Sequence, residues 1–390
     1  LAVKAVILDL DGTLINGTTP VAEVPEMMAA LRDAGLRIAV ASNREDGRAR
    51  LKRSGLNYDL FLDKTNVGVG KGSPRWVDRV SEAFDVQRNE LVWLGDGDND
   101  MRSAVNGSVI YFHAAWSVPR YPYGVMLKAP GLFPLMLNEC FRKPVNWYWT
   151  LSASDRAGRQ ITSRAMIDGN GAGIPALRND LLSFLKDGGN PRVGKFTVRD
   201  LMIVHLIGSI YGEGLFRSTD LWAVYPGSKG GTNKSLELFA KFASRLFKDR
   251  YIPDLLIRHT PSMDSGLSRR RGVAVTFTNQ VNTVNLNKEV GRRLEGKVIA
   301  LVDDFTTRGY SSECARNLFV QAGAKEVISI SMGKYGPRQS IVSPIRGYAW
   351  DPFAPATHSD DKFDEIVMTG SSKSSALDVV RESYQRLSSS

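Results

Sequence analysis

Cysteine is nearly absent: Cys140 and Cys314 are the only two in 390 residues. A pair so far apart forms neither a disulfide framework nor a metal quartet, and a reducing cytoplasm is the expected home. The chain also has no uninterrupted apolar stretch long enough to span a bilayer and no charged-then-apolar leader at its start, so no membrane partner is expected. Gly169 to Pro175 is rich in glycine but lacks the lysine and hydroxyl of a nucleotide-binding loop, and it reads as a turn. Apolar residues make up 43% of the chain, ordinary for a folded protein, which excludes wholesale disorder. The length exceeds what one core holds, so two domains are expected.

Charge is unevenly placed. Residues 1–139 carry 16 Lys and Arg against 17 Asp and Glu, whereas residues 140–390 carry 35 against 24. The basic part faces anionic partners, and both phosphorylated metabolites and nucleic acid suit it.

The chemistry is concentrated first in Val6-Ile7-Leu8-Asp9-Leu10-Asp11-Gly12-Thr13. An apolar run with β-branched residues predicts a buried parallel strand, and alternation puts the Asp9 and Asp11 side chains on one side of it. Two crowded anions at a strand end attract a divalent cation; the plainer alternative is an acidic Asp-Gly turn. Three further pieces follow in order. A helix from Val21 to Ala34, stopping at Gly35, precedes a strand from Arg37 to Ala41 that delivers Ser42 and Asn43. Lys71 lies in a flexible Gly-Lys-Gly setting before a helix from about Pro74 to Phe84. A strand from Leu91 to Leu94 runs into Gly95-Asp96-Gly97-Asp98-Asn99-Asp100. Ser42 as a simple helix cap and Lys71 as a solvated lysine are the bland rivals.

These four pieces, over residues 3 to 115, resemble the haloacid dehalogenase superfamily of phosphohydrolases. The resemblance implies that Asp9 is the nucleophile that becomes an aspartyl phosphate and that Asp11 is the general acid and base. It implies that Ser42 hydrogen-bonds the transferred phosphoryl group, with Asn43 beside the substrate, and that Lys71 offsets its charge. Asp9, Asp11, Asp96 and Asp100 are the acids expected around Mg²⁺; Asp98 is an alternative ligand that the family pattern disfavours. Between Leu14 and Ser42, and between Asn43 and Lys71, there is room for one helix and one strand each, so no cap domain fits.

A second chemical region begins at Asp220. A strand from Leu221 to Tyr225 leads into Pro226-Gly227-Ser228-Lys229-Gly230-Gly231 and a helix from about Lys234 to Phe247. Consecutive glycines beside a helix start let backbone amides approach an anion, to which Lys229 adds a charge. Val298 to Val302 is a buried strand ending in Asp303-Asp304, followed by Phe305-Thr306-Thr307-Arg308-Gly309-Tyr310-Ser311, a helix through Gln321 and a strand from Val327 to Ser331. Carboxylates accept from vicinal ribose hydroxyls while loop amides and hydroxyls hold a 5′-phosphate; a second Mg²⁺ site and a well-capped helix are the alternatives.

Residues 218 to 335 resemble the type I phosphoribosyltransferases. Leu256-Ile257-Arg258-His259-Thr260 and Ser265-Gly266-Leu267-Ser268-Arg269-Arg270-Arg271 point to their ComF-like branch. The resemblance implies that Asp303 and Asp304 hold the ribose of phosphoribosyl pyrophosphate and that Thr306, Thr307, Gly309 and Ser311 bind its 5′-phosphate. Gly227, Ser228, Lys229 and Gly230 would meet the pyrophosphate with Mg²⁺. Arg308 stands where a threonine is usual, Ser311 replaces another, and no glutamine stands near Asp264.

The expected architecture is two doubly wound α/β domains: a capless phosphatase-like domain at 1–139 and a phosphoribosyltransferase-like domain at 216–340. A helical hood segment at 140–215 connects them, and an extension at 341–390 ends in a helix from about Ser375 to Leu387. The expected function is a bifunctional enzyme of nucleotide metabolism that removes a phosphate in one half and transfers a phosphoribosyl group in the other. Its expected partners are phosphoribosyl pyrophosphate and nucleotides. A phosphatase with a ribose-phosphate-sensing half, and a phosphatase for nucleic-acid ends, are the alternatives. Such fusions resemble parts of bacterial stress-response operons.

Overall fold

The computed structural model describes residues 3–121, 123–141, 147–186, 189–194, 196–213, 219–246, 249–262, 276–290 and 294–388. Asp264 and the stretch from Ser265 to Arg271 lie outside them. The chain forms two compact units, the first of residues 1–145, 207–217 and 245–248, the second of residues 146–206, 218–244 and 249–390.

The first unit is built on β1 (Ala5–Asp9), fully buried along its length. After it come α1 (Val24–Asp33), β2 (Arg37–Ser42), α2 (Gly47–Ser54), β3 (Leu60–Asp63), α3 (Arg75–Phe84), β4 (Leu91–Gly95), α4 (Asp98–Asn106), β5 (Ile110–Ala114), β6 (Val125–Leu127) and α5 (Leu132–Phe141). The strands form one parallel sheet in the order β3-β2-β1-β4-β5-β6. With a neighbour on each side, β1 satisfies its backbone groups inside the sheet, so its side chains can be apolar on both faces. Helix α3 buries Trp76, Val77, Val80 and Phe84 along one stripe, against Ile7 and Trp93 of the sheet. Each such large side chain contributes about 1.5–3 kcal/mol of burial. No cap interrupts the motifs: a hairpin of Ile15–Asn16 and Thr19–Pro20 with α1 fills the first interval, and α2, β3 and a short helix at Lys64–Val67 fill the second.

The second unit contains β7 (Trp149–Ser154), β8 (Gln160–Asp168), α6 (Pro175–Lys186), α7 (Val198–Glu213) as far as residue 206, β9 (Leu221–Val224), α8 (Lys234–Leu246) as far as residue 244, and β10 (Arg250–Tyr251). It continues with β11 (Val298–Thr306), α9 (Tyr310–Gln321), β12 (Glu326–Lys334), β13 (Arg338–Pro344), β14 (Phe363–Thr369), β15 (Ser371–Ser372) and α10 (Ser374–Ser388). A seven-stranded sheet runs β10-β9-β11-β12-β8-β7-β15; its first five strands are mutually parallel, and β7 is antiparallel to both neighbours.

Two expectations are corrected here. Residues 140–215 are not a helical connection alone, since β7 and β8 belong to the second sheet and β8 pairs with β12 from Ile161↔Val327 to Asp168↔Lys334. The extension at 341–390 also carries more than its final helix, because β13 and β14 pair antiparallel over seven positions. In β8 the polar Ser163 and Arg164 break the apolar run that would announce a buried strand. Arg164 is nevertheless buried, and donates to the Leu151 carbonyl at 2.9 Å and to Ser152 Oγ at 3.2 Å. Among the described residues no helix is long and apolar enough to cross a membrane.

Candidate active site

Parallel pairing gathers the first unit's motifs at one sheet edge. Asp9 is in register with Ala41, so Ser42 stands one residue beyond it on β2, while Leu8↔Leu94 brings Gly95 and Asp96 alongside on β4. The carboxyl ends of adjacent parallel strands, followed by loops and helix starts, are where such sheets form their sites.

Asp9 is 6% exposed, and its Oδ2 accepts from Thr13 Oγ1 at 3.2 Å. One carboxylate oxygen from each of Asp9, Asp96 and Asp100 lies within 4.8 Å of the others. Lys71 crosses this cluster: its ammonium pairs with Asp9 and, at 2.9 Å, with Asp100 Oδ1. Asn43 Oδ1 accepts from the Lys71 backbone N–H at 2.9 Å, and Gly72 N donates to Ser103 Oγ of α4 at 2.7 Å, which fixes the lysine loop from both sides. Asp96 Oδ2 accepts from Ser117 Oγ at 2.6 Å. Gly12 has φ +74°, and a Cβ there would overlap Asp96 Oδ2 and Ser117 Oγ, so the turn after β1 requires glycine for both backbone and space.

Burial, followed by the Asp100 charge, pushes the Asp9 carboxyl up to about 8 against the pull of Lys71. Burial also raises Asp96. Burial works against the Lys71 charge, but Asp100 and Asp9 outweigh it and hold the ammonium above its ordinary range. Once all three are ionised, three carboxylates facing one ammonium carry an excess of two negative charges in a largely buried space. Hard oxygen donors in that number and with that surplus fit Mg²⁺.

Not every expected residue joins the cluster. Asp11, expected both as acid/base and as a metal-side acid, lies outside it: its Oδ1 accepts from Arg50 Nη1 of α2 at 2.5 Å. The expected alternation does not reach it, because β1 ends at Asp9 and Asp11 stands in the turn that follows, where Arg50 offers it a cation. Asp98 is paired with Arg102 at 2.7 Å and accepts from Tyr121 OH at 3.0 Å, and Asp100 is the one of the two that joins the acid cluster. Ser42 is buried and its Oγ accepts from Arg44 N at 3.2 Å; Asp46, not Ser42, is the residue that precedes α2. Sequence reasoning missed Arg50 and Ser117. Arg50 gave only the signal of a basic helix, and Ser117 gave none.

In the second unit, β9 and β11 are neighbours with Val224↔Val302 in register, so the loops after them start side by side. Burial, then the Asp304 charge, pushes Asp303 up to about 8. Asp304 pairs with Lys186. Gly309, at φ +79°, is the residue before α9, so Ser311 falls in that helix's first turn. The Thr307 carbonyl accepts from the buried Lys334 ammonium, and Arg308 O accepts from Ser340 N at 2.8 Å. The Gly227 to Gly231 loop closes on itself through Gly227 N to Gly231 O at 2.9 Å, Arg258 Nε donates to Gly227 O at 2.8 Å, and Ser228 O accepts from Ser262 N at 2.9 Å. Lys229 is exposed. Asp303 and Thr306 border a hollow with Arg164, Ser331 and Gln339; Asp304 and Gly309 are not in its wall.

Residues 18–107 match the family model of the haloacid dehalogenase-like hydrolases. No curated protein matches the chain. Among solved structures, a putative phosphoglycolate phosphatase from Lactobacillus delbrueckii subsp. bulgaricus is 20% identical, covering 30% of this chain and 54% of that one, with a TM-score of 0.29. A putative beta-phosphoglucomutase from Thermotoga maritima is 15% identical over 35% of this chain and 99% of that one, with a TM-score of 0.32. A haloacid dehalogenase phosphatase from Thermococcus onnurineus is 19% identical over 30% and 58%, with a TM-score of 0.29. The chain thus spans about half the length of the first of these. The family match begins after Asp9 and Asp11, whose place in the site rests on geometry. The likeness to the haloacid dehalogenase-like hydrolases thus covers residues 18–107, within the first unit.

Proposed function

We propose that the first unit hydrolyses phosphomonoesters through an aspartyl phosphate on Asp9. The observation that carries this is the convergence of Asp9, Asp96 and Asp100 around the Lys71 ammonium at the strand ends. Ionised Asp9 attacks phosphorus, the ester P–O bond breaks, and Asp11, released from Arg50 and protonated, gives its proton to the leaving oxygen. Water then attacks the acyl phosphate as Asp11 takes a proton back, and inorganic phosphate leaves. Mg²⁺ held by Asp9, Asp96 and Asp100 would supply charge compensation for the phosphoryl oxygens. Lys71 shares that task, and Ser42 Oγ and Asn43 orient the group. Asp9→Asn should abolish Mg²⁺-dependent phosphate release; full retention would refute the assignment.

For the second unit, we infer binding of phosphoribosyl pyrophosphate and phosphoribosyl transfer. Support comes from the acid pair at the end of β11, the Thr306 to Ser311 loop entering α9, and the adjacent glycine loop held by Arg258. Asp303 and Asp304 take the ribose hydroxyls, which requires Asp304 to leave Lys186. Pyrophosphate release, assayed across a panel of bases, should be lost in the Asp303→Asn, Asp304→Asn double variant. Its absence from the wild type with every base would leave a binding role alone. The two activities together make a bifunctional enzyme of nucleotide metabolism.

A further inference from the structure

Arg50 is used by nothing in the mechanism above, yet it is held in a defined place. Its side chain is 12% exposed; Nε donates to Gly17 O of the hairpin after β1 at 2.8 Å, and Nη1 to Asp11 Oδ1 at 2.5 Å. Asp11 is 38% exposed, so the pair stands at the open side of the site, not in the core. While the guanidinium holds this carboxyl, Asp11 lies outside the cluster where the phosphoryl group would sit.

The surroundings favour a second anion. Helix α2 carries Arg48, Arg50, Lys52 and Arg53 and no acid, and all but Arg50 are exposed. Arg44, exposed and paired with Asp46 at 2.9 Å, adds a cation whose field reaches Asp11. The start of α2 adjoins the phosphate-side hydroxyl, since a Cβ on Gly47 would lie 2.9 Å from Ser42 Oγ. Among the described residues no cap interrupts the motifs, and the groups of the unit that rim the site are placed to contact a substrate.

We propose that Arg50 is a specificity-determining residue that selects phosphomonoesters bearing a second anionic group beside the ester. That group takes the guanidinium, and Asp11 is released to face the leaving oxygen. A substrate with no second anion leaves Asp11 held and turns over slowly. The inference rests on the phosphomonoesterase reading above. A carboxylate or phosphate serves equally, because a guanidinium binds either in the same bidentate way.

The test is steady-state phosphate release, with Mg²⁺ and the full chain, from 2-phosphoglycerate and glycerol 2-phosphate, which differ by a carboxylate in place of a hydroxymethyl group. The wild type should prefer 2-phosphoglycerate by about tenfold or more in kcat/KM, the worth of one charge-assisted hydrogen bond. In Arg50→Gln, KM for 2-phosphoglycerate should rise about tenfold while kcat for glycerol 2-phosphate increases severalfold, bringing the preference towards one. Arg50→Lys should restore part of the preference. A wild-type preference near one, or an equal fall on both esters in Arg50→Gln, overturns the role of Arg50 and leaves the phosphatase standing. No release from either ester by the wild type overturns the phosphatase reading and this inference with it.

Discussion

At the scale of single residues, the site is governed by how much negative charge is gathered with little water. Asp9 must lose its proton to hold a divalent cation, and burial with the Asp100 charge pushes that carboxyl up to about 8. Apparent Mg²⁺ affinity should therefore rise about tenfold per pH unit from ~6 to ~8 and level off above, as titration calorimetry would measure. An affinity flat across that window would contradict the burial argument. The same shift has a signed effect on stability without metal. Because the folded pKa lies above the unfolded one, the Asp9 contribution is complete below the unfolded value and is lost as pH rises towards about 8. Gly12 is the other residue with no freedom: Gly12→Ala would strain the left-handed turn by about 1–2 kcal/mol and push into Asp96. Phosphate release should fall at least tenfold, while the melting temperature drops by only a few degrees.

At the scale of elements, α3 and the flanking strands decide whether the acids meet at all. Trp76 is fully buried on α3 and donates from Nε1 to Val69 O at 3.1 Å, two residues before Lys71. Trp76→Ala should cost about 3–5 kcal/mol in urea unfolding, and a loss under about 1 kcal/mol would show that the loop does not depend on this helix. Elements with one-sided patterns were legible in the sequence: α1, α3, β1, β2 and β4 occur within a few residues of their predicted bounds, because apolar runs and helical spacing are local signals. The strand β8 was not, because a buried arginine satisfied by backbone carbonyls looks like a surface residue along the chain. The hairpin of β13 and β14 was hidden for the opposite reason: β14 is largely exposed and leaves no alternating pattern. In the site, the grouping of Asp9, Asp96, Asp100 and Lys71 was implied by the resemblance that four motifs in order carry. The turning of Asp11 to Arg50 was not, since that contact joins residues 39 apart.

At the scale of the whole molecule, one chain carries two large sheets, each with an acid pair where a strand hands over to a loop. The first precedes a stretch, residues 18–107, that matches the haloacid dehalogenase-like hydrolases, and the second is inferred to grip a ribose phosphate. If the sites are separate, Asp9→Asn should remove phosphate release and spare pyrophosphate release, with the reverse for the Asp303→Asn, Asp304→Asn pair. Loss of both from either change would mean a single coupled site. The most direct test of the central claim is peptide mass spectrometry of the enzyme acid-quenched during turnover of 2-phosphoglycerate with Mg²⁺. One phosphoryl group should be found on Asp9 and on no other residue; phosphate release that proceeds with Asp9 never labelled, and that survives in Asp9→Asn, would contradict it.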